Sequence, residues 1–136
     1  MDTTPHIQVL IADDHAAVRE GLAALIERQK DMCVVAQACN GEEAIALFRV
    51  HRPDVTLMDL RMPVMNGIGA IRAIRADFPQ ARILVVTAFE EDGVAEALLA
   101  GAAGYILKGA QRSDLIQAIH GAYGRLSCGT SDDGQP

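Results

Sequence analysis

Five polar residues close apolar runs in this sequence and together could carry one chemistry. Asp13 and Asp14 follow residues 7–12, Asp59 follows 55–58, Thr87 follows 83–86, and Lys108 follows 105–107. Three carboxylates gathered in one place repel, and ionising all of them at neutral pH without a counter-charge is costly. A hard divalent cation relieves that cost. Mg²⁺ takes one or two direct carboxylates and completes its octahedron with waters, carbonyls or phosphate oxygens. An acidic pocket holding Mg²⁺ is therefore a place for a phosphoryl group, whose charge the metal and Lys108 would screen. Asp59 is the candidate nucleophile, since carboxylates form aspartyl phosphates. Taken singly, each residue has a plainer role: Asp13 and Asp14 as helix caps, Asp59 as a turn starter, Thr87 as a β-branched strand residue, Lys108 as a solvated charge. Their co-occurrence in this order favours the shared role.

The elements that must position them read as follows. Residues 7–12 form a strand signal stopped by Asp13-Asp14-His15, and Val18, Leu22, Leu25 and Ile26 recur at helical spacing over 16–29. Residues 32–38 read as a second strand, Asn40-Gly41 as a turn, and 42–50 as a helix ended ahead of Pro53. The run Val55-Thr56-Leu57-Met58 is nearly all apolar, as in a strand covered on both faces, and Pro63 fixes the turn after it. A third helix over 67–76 puts Ile68, Ile71 and Ile74 on one side and Arg72 and Arg75 on the other. Residues 82–87 read as the fourth strand, 91–100 as an alanine-rich helix, and 104–108 as the fifth strand. Ser113 or Asp114 starts a last helix with the face Leu115, Ala118, Ile119 and Ala122. Five alternations predict an α/β fold: a parallel sheet with helices on both faces and right-handed crossovers. In such a sheet ligands bind outside the carboxyl ends of the strands, which is where the five polar residues fall.

With 136 residues, 50% of them hydrophobic, the chain suits one domain with a real core, here 1–123, and a polar, Gly/Ser-rich linker-like or disordered tail, 124–136. No apolar run is long enough to span a bilayer, and Met1-Asp2-Thr3-Thr4-Pro5 lacks the regions of a secretory signal, so a soluble, cytoplasmic protein without a membrane partner is expected. Cys33, Cys39 and Cys128 make an odd count without a C-x-x-C pair, which indicates neither a disulfide framework nor a zinc site. The net charge of -6 argues against this chain gripping a phosphate backbone by itself.

The segments Ile11-Ala12-Asp13-Asp14, Leu57-Met58-Asp59-Leu60-Arg61-Met62-Pro63 with Asn66-Gly67, Val86-Thr87-Ala88, and Gly101-Ala102-Ala103-Gly104-Tyr105-Ile106-Leu107-Lys108 resemble, in this order, a response-regulator receiver domain. That is the phosphoacceptor half of two-component signalling. The resemblance covers residues 7–122 and implies a flavodoxin-like (βα)5 fold with strand order 2-1-3-4-5. It implies that Asp59 accepts a phosphoryl group from a sensor histidine kinase. Asp14 and Asp59 would ligate Mg²⁺ directly, Asp13 through water, and the Arg61 carbonyl would complete the protein ligands. Thr87 would bond a phosphoryl oxygen, Lys108 would pair with its charge, and Tyr105 would be the switch aromatic. The domain would assist its own phosphorylation and dephosphorylation without being an enzyme in the ordinary sense. The stretch from Asp13 to Leu22, and Lys108-Gly109 without a following proline, is most similar to NarL/FixJ-type regulators, whose helix-turn-helix output domain binds DNA. A homodimer on phosphorylation is then expected, with DNA reached only through an output domain absent from this chain. The sequence is read as a receiver separated from a longer regulator; the alternative is a stand-alone single-domain receiver working by protein–protein contact.

Two other classes fit less well. A phosphohydrolase of the haloacid-dehalogenase type wants a second Asp two residues after the nucleophile, and that position is Arg61. A flavodoxin-like nucleotide binder wants Ser, Thr and Gly after its first strand, where this chain has Asp13-Asp14. His15 beside the acids is read as a helix-start residue, because hard Mg²⁺ prefers oxygen. His6, His51 and His120 are read as surface residues.

Overall fold

The computed structural model describes residues 7–88 and 93–127, with side chains placed as far as Gly124. Its ten elements alternate in the expected order: β1 (Ile7–Ala12), α1 (Ala16–Glu27), β2 (Met32–Ala38), α2 (Gly41–His51), β3 (Val55–Met58), α3 (Gly67–Asp77), β4 (Ile83–Thr87), α4 (Val94–Ala100), β5 (Gly104–Leu107) and α5 (Arg112–Ser127). The five strands form one parallel sheet in the order β2-β1-β3-β4-β5.

The apolar runs are continuous because successive strand residues face two different cores. Leu10, Ala12, Met58, Ile83 and Val85 point to one face, where Phe48 of α2, Ile71 and Ile74 of α3 and Ala97 of α4 cover them. Val9, Ile11, Val55, Leu57, Leu84 and Val86 point to the other, under Ile26 of α1 and Leu115, Ile119 and Ala122 of α5. Both layers are closed, so β1, β3 and β4 bury almost every side chain, while the edge strand β5 alternates between half-buried and exposed residues.

Asn40 caps α2, its side-chain oxygen accepting from the Glu43 amide at 2.8 Å, and the Glu43 carboxylate accepts in turn from the Cys39 amide at 2.8 Å. Asn66 caps α3 in the same way through the Gly69 amide. Boundaries differ from the sequence reading where local chemistry intervenes. The helix expected from 91 begins at Val94, after Gly93 in a left-handed conformation with φ 86°; Glu91 and Asp92 lie outside the described residues. α5 continues through Gly124 to Ser127, so the boundary drawn at 124 falls inside a helix. Residues 128–136, with Cys128, and His6 lie outside the described residues. Cys33 and Cys39 are free thiols.

Candidate functional site

Parallel pairing brings the carboxyl ends of β1, β3, β4 and β5 to one edge. The main chain extends that alignment one residue past the strands: the Asp59 amide donates to the Ala12 carbonyl at 2.9 Å, the Asp13 amide to Ala38 at 3.0 Å, and the Lys108 amide to Thr87 at 2.8 Å. Asp13, Asp59 and Thr87 are therefore buried, at 1%, 4% and 2% exposure, although all three are polar.

Lys108 stands over the two buried acids. Its Nζ lies 3.0 Å from Asp13 Oδ2 and 3.4 Å from Asp59 Oδ2. Asp13 Oδ1 accepts from the His15 amide at 2.9 Å, and Arg19 donates to the Asp13 carbonyl at 2.7 Å, fixing the β1–α1 loop. Asp13 Oδ2 is fully buried with no aligned hydrogen-bond donor; the Lys108 charge is what it has. Burial pushes the Asp59 carboxyl above the ordinary carboxylate range and the Asp13 charge adds to this, against smaller opposing effects of Lys108 and of a hydrogen bond from the Arg61 amide. Burial alone would lower the Lys108 pKa, but close contact with Asp13 and the charge of Asp59 outweigh it, and the ammonium is held more firmly protonated than usual.

One lysine thus faces two buried carboxylates, with a third, Asp14, partly exposed beside them. Ligand atoms of Asp13, Asp14, His15 and Asp59 all lie within 4.8 Å of one another, close enough for a single ion. An acid cluster with more carboxylates than the one lysine beside them can neutralise fits a hard divalent cation.

The structure brings Asp13, Asp14, Asp59, Thr87 and Lys108 to one edge, as the sequence reading required. Tyr105 lies one strand outward, on the exposed side of β5 at 39% exposure. The Arg61 amide donates to the Asp59 carboxylate.

Three features went unread in the sequence. His15 turns back to the acids, its Nδ1 3.1 Å from Asp14 Oδ1 and 3.2 Å from Asp13 Oδ1. Val64 holds φ at 69°, which a β-branched side chain adopts only under strain, inside a three-residue turn closed by the Met65 amide on the Pro63 carbonyl at 2.7 Å. Gly67 lies so close under Asp59 that a Cβ would fall 2.2 Å from the Asp59 carbonyl oxygen. The glycine was visible as a turn and helix start; its contact with the Asp59 main chain is a tertiary fact with no local signal.

A five-stranded doubly wound sheet carrying an acid cluster and a lysine at its carboxyl edge is the arrangement that the receiver resemblance implied. The comparisons agree: the response regulator receiver domain family matches residues 9–120, and the chain belongs to it. It is similar to the transcriptional regulatory protein LnrK of Bacillus subtilis, with 40% identity over 83% of this chain and 52% of that protein. It is also similar to a LuxR-family two-component response regulator from Aurantimonas sp. SI85-9A1, with a TM-score of 0.84 and 39% identity over 88% of this chain and 86% of that one. The NarL signal receiver domain from Mycobacterium tuberculosis superposes with a TM-score of 0.83 at 34% identity, covering 88% of this chain and 98% of that one. The molecule is thus the receiver domain of a two-component response regulator of the NarL/LuxR type. It spans about half the length of the curated relatives it matches. No helix among the described residues is long and apolar enough to cross a membrane.

Proposed function

We propose that this domain accepts a phosphoryl group on Asp59 from a sensor histidine kinase and alters its α4–β5–α5 surface in response. The observation that carries the reading is the Lys108 ammonium poised 3.0 and 3.4 Å from the two buried acids, where it can turn to an arriving phosphoryl oxygen. An Asp59 carboxylate oxygen attacks phosphorus. The O–P bond forms as the bond from phosphorus to the kinase imidazole nitrogen breaks, and the imidazole departs with the bonding electron pair. Mg²⁺, held by Asp14 and Asp59 directly, by Asp13 through water and by the Arg61 carbonyl, would supply the charge compensation that phosphoryl oxygens need.

Lys108 then leaves Asp59 for the phosphoryl group while keeping Asp13. Thr87, buried at the end of β4, offers its hydroxyl to another phosphoryl oxygen and draws the following loop inward. The space so opened is filled by Tyr105, which in this structure sits on the outer side of β5. Turning a mostly inactive population into a mostly active one takes about 5.5 kcal/mol of differential stabilisation, within reach of a few charge-assisted hydrogen bonds and a repacked aromatic. Leu98, Leu99, Tyr105 and Leu107 expose apolar surface on α4 and β5, which supports homodimerisation as the readout. The transcriptional regulators among its relatives support a DNA-binding output domain in the whole protein, acting in the cytoplasm.

Incubation with acetyl phosphate and Mg²⁺ followed by intact-mass measurement tests the first step. One phosphoryl adduct is expected in the wild type and none in Asp59→Asn; an adduct undiminished in the variant overturns the assignment. Sedimentation of the phosphorylated domain tests the second. A shift to dimer is expected, while a monomer at all concentrations favours a receiver that works by contact with other proteins.

A further inference from the structure

We infer that the cleft at the amino edge of the sheet, between Arg52 and Arg82, binds a small organic carboxylate with a flat apolar body. It lies at the edge opposite the acid cluster and does not depend on the phosphoacceptor reading. The cleft has a volume of about 420 Å³, within the range of small-molecule sites. Pro53, Phe78 and Pro79 wall it, and Arg52, Asp54 and Arg82 bring charge to it.

Neither guanidinium has a carboxylate of its own. Arg52, in the left-handed conformation that ends α2, donates Nε to the Arg49 carbonyl at 3.1 Å and lies over the Phe78 ring at 4.2 Å. Its two terminal nitrogens have no hydrogen-bond partner among the described residues. Arg82 donates Nη1 to the Asp54 carbonyl at a long 3.3 Å, and its Nε is buried with no hydrogen-bond partner. Among the described residues neither arginine forms an ion pair. A buried N–H without an acceptor is costly and uncommon. A carboxylate supplies the paired oxygens that a guanidinium fork accommodates best.

The acids of the cleft select the charge of the ligand. Asp77 is matched by Arg49 at 3.2 Å, so that pair leaves no net charge. Asp54 Oδ2 accepts from the Gln8 amide at 2.8 Å and has no cation as a partner. Two arginines against one aspartate leave a single positive charge, which a monoanion neutralises and a phosphate dianion overshoots. The half-buried Phe78 and exposed Pro79 offer apolar surface beside these cations, and a guanidinium plane is itself a surface on which rings stack. A ring joined to a carboxylate uses both.

The test titrates the full chain with naphthoate, naphthamide and acetate, following backbone amide and arginine Nε–H resonances. Naphthoate is expected to bind with a Kd on the order of 1 mM and to move the Arg52 and Arg82 Nε–H signals with the amides of 52–54 and 78–82. Naphthamide has the ring without the charge and acetate the charge without the ring; each is expected to bind about tenfold more weakly. Arg52→Met, at an exposed position, is expected to cost naphthoate about tenfold and leave the rest of the spectrum in place. Arg82→Lys keeps the charge without the fork and is expected to weaken naphthoate as well. Equal binding of naphthoate and naphthamide would overturn the inference, since it marks an apolar crevice only. Unchanged affinity in Arg52→Met, or shifts centred away from the cleft, would overturn it too.

Discussion

The two edges of the sheet use charge in opposite ways. At the amino edge, cations and anions are matched locally: Arg49 with Asp77 at 3.2 Å, His120 with Asp31 at 2.7 Å, and Arg82 on the Asp54 carbonyl at 3.3 Å. Arg52 lies over the Phe78 ring at 4.2 Å, and Arg82 over Tyr123 at 5.4 Å. The ion pairs here are wet and their partners are near, so little ionic charge at that edge is both buried and uncompensated; the Arg82 Nε, buried without a hydrogen-bond partner, is the exception among the groups named. At the carboxyl edge two buried acids share one lysine and a third acid stands beside them, so negative charge is left over where water is scarce. Surplus charge in a desolvated place is stability withheld from the fold and available to whatever neutralises it. The lesson is that the function sits where the fold leaves its electrostatics unfinished.

The sharpest way to break this contrast is to deny the carboxyl edge its backbone geometry. Gly67→Ala would put a Cβ 2.2 Å from the Asp59 carbonyl oxygen and 2.9 Å from the Leu60 Cα, contacts that only main-chain movement can relieve. A loss of about 3 kcal/mol or more is expected in urea unfolding, together with loss of phosphoryl transfer from acetyl phosphate. Next in size is Lys108→Met. Removing the ammonium that Asp13 and Asp59 share leaves these two acids facing each other, and a loss of about 2 kcal/mol is expected, below the full figure for a buried pair because Lys108 is 23% exposed. Mg²⁺ should restore more stability to this variant than to wild type; equal gains would mean that the acids do not repel as argued.

A smaller effect isolates Asp59. Burial and the neighbouring Asp13 charge raise its carboxyl above the ordinary aspartate value in the folded state, so the native protein holds this proton more tightly than the unfolded chain does. Asp59 therefore subtracts stability as pH rises from about 4 through its raised folded value. Asp59→Asn removes that penalty. Without divalent cation, the variant should match wild type near pH 4 and exceed it by of order 1 kcal/mol at neutral pH, read as the pH dependence of the urea midpoint. A difference independent of pH would refute the assignment of strain to this charge.

Much of this was legible in the sequence because the fold's signals are local and periodic. Continuous apolar strands, amphipathic helices and the Asn40-Gly41 turn each announce themselves within a dozen residues, and strand ends in a parallel sheet fall on one edge by topology. The start of α4 at Val94 was not legible, since Glu91 and Asp92 suit a first helical turn by type and the positive φ of Gly93 has no sequence signal beyond the glycine itself. Nor was the reach of α5 to Ser127, because Gly121 and Gly124 weaken the helical signal while Ile119 and Ala122, packed under the sheet, hold the helix against it. The turn of His15 toward Asp13 and Asp14 is a choice of side-chain rotamer at an exposed position, which no spacing along the chain encodes.

The smallest predicted effect belongs to the amino edge and gives the contrast its control. Arg49 and Asp77 join α2 to α3 at 3.2 Å, but both side chains are more than half exposed, at 57% and 54%. Solvent screens the pair, ordering two side chains offsets part of the attraction, and Arg49 also favours the carbonyl end of α2. Arg49→Ala should therefore cost only about 0.5 kcal/mol, and less at high salt. Because no part of that ion pair touches β1, β3 or Lys108, the yield of phosphoryl adduct and the Mg²⁺ affinity should stay at wild-type values. A change in either would mean that the amino edge is coupled to the acid cluster through the sheet, and the division between a finished and an unfinished edge would have to be redrawn along α2 and α3.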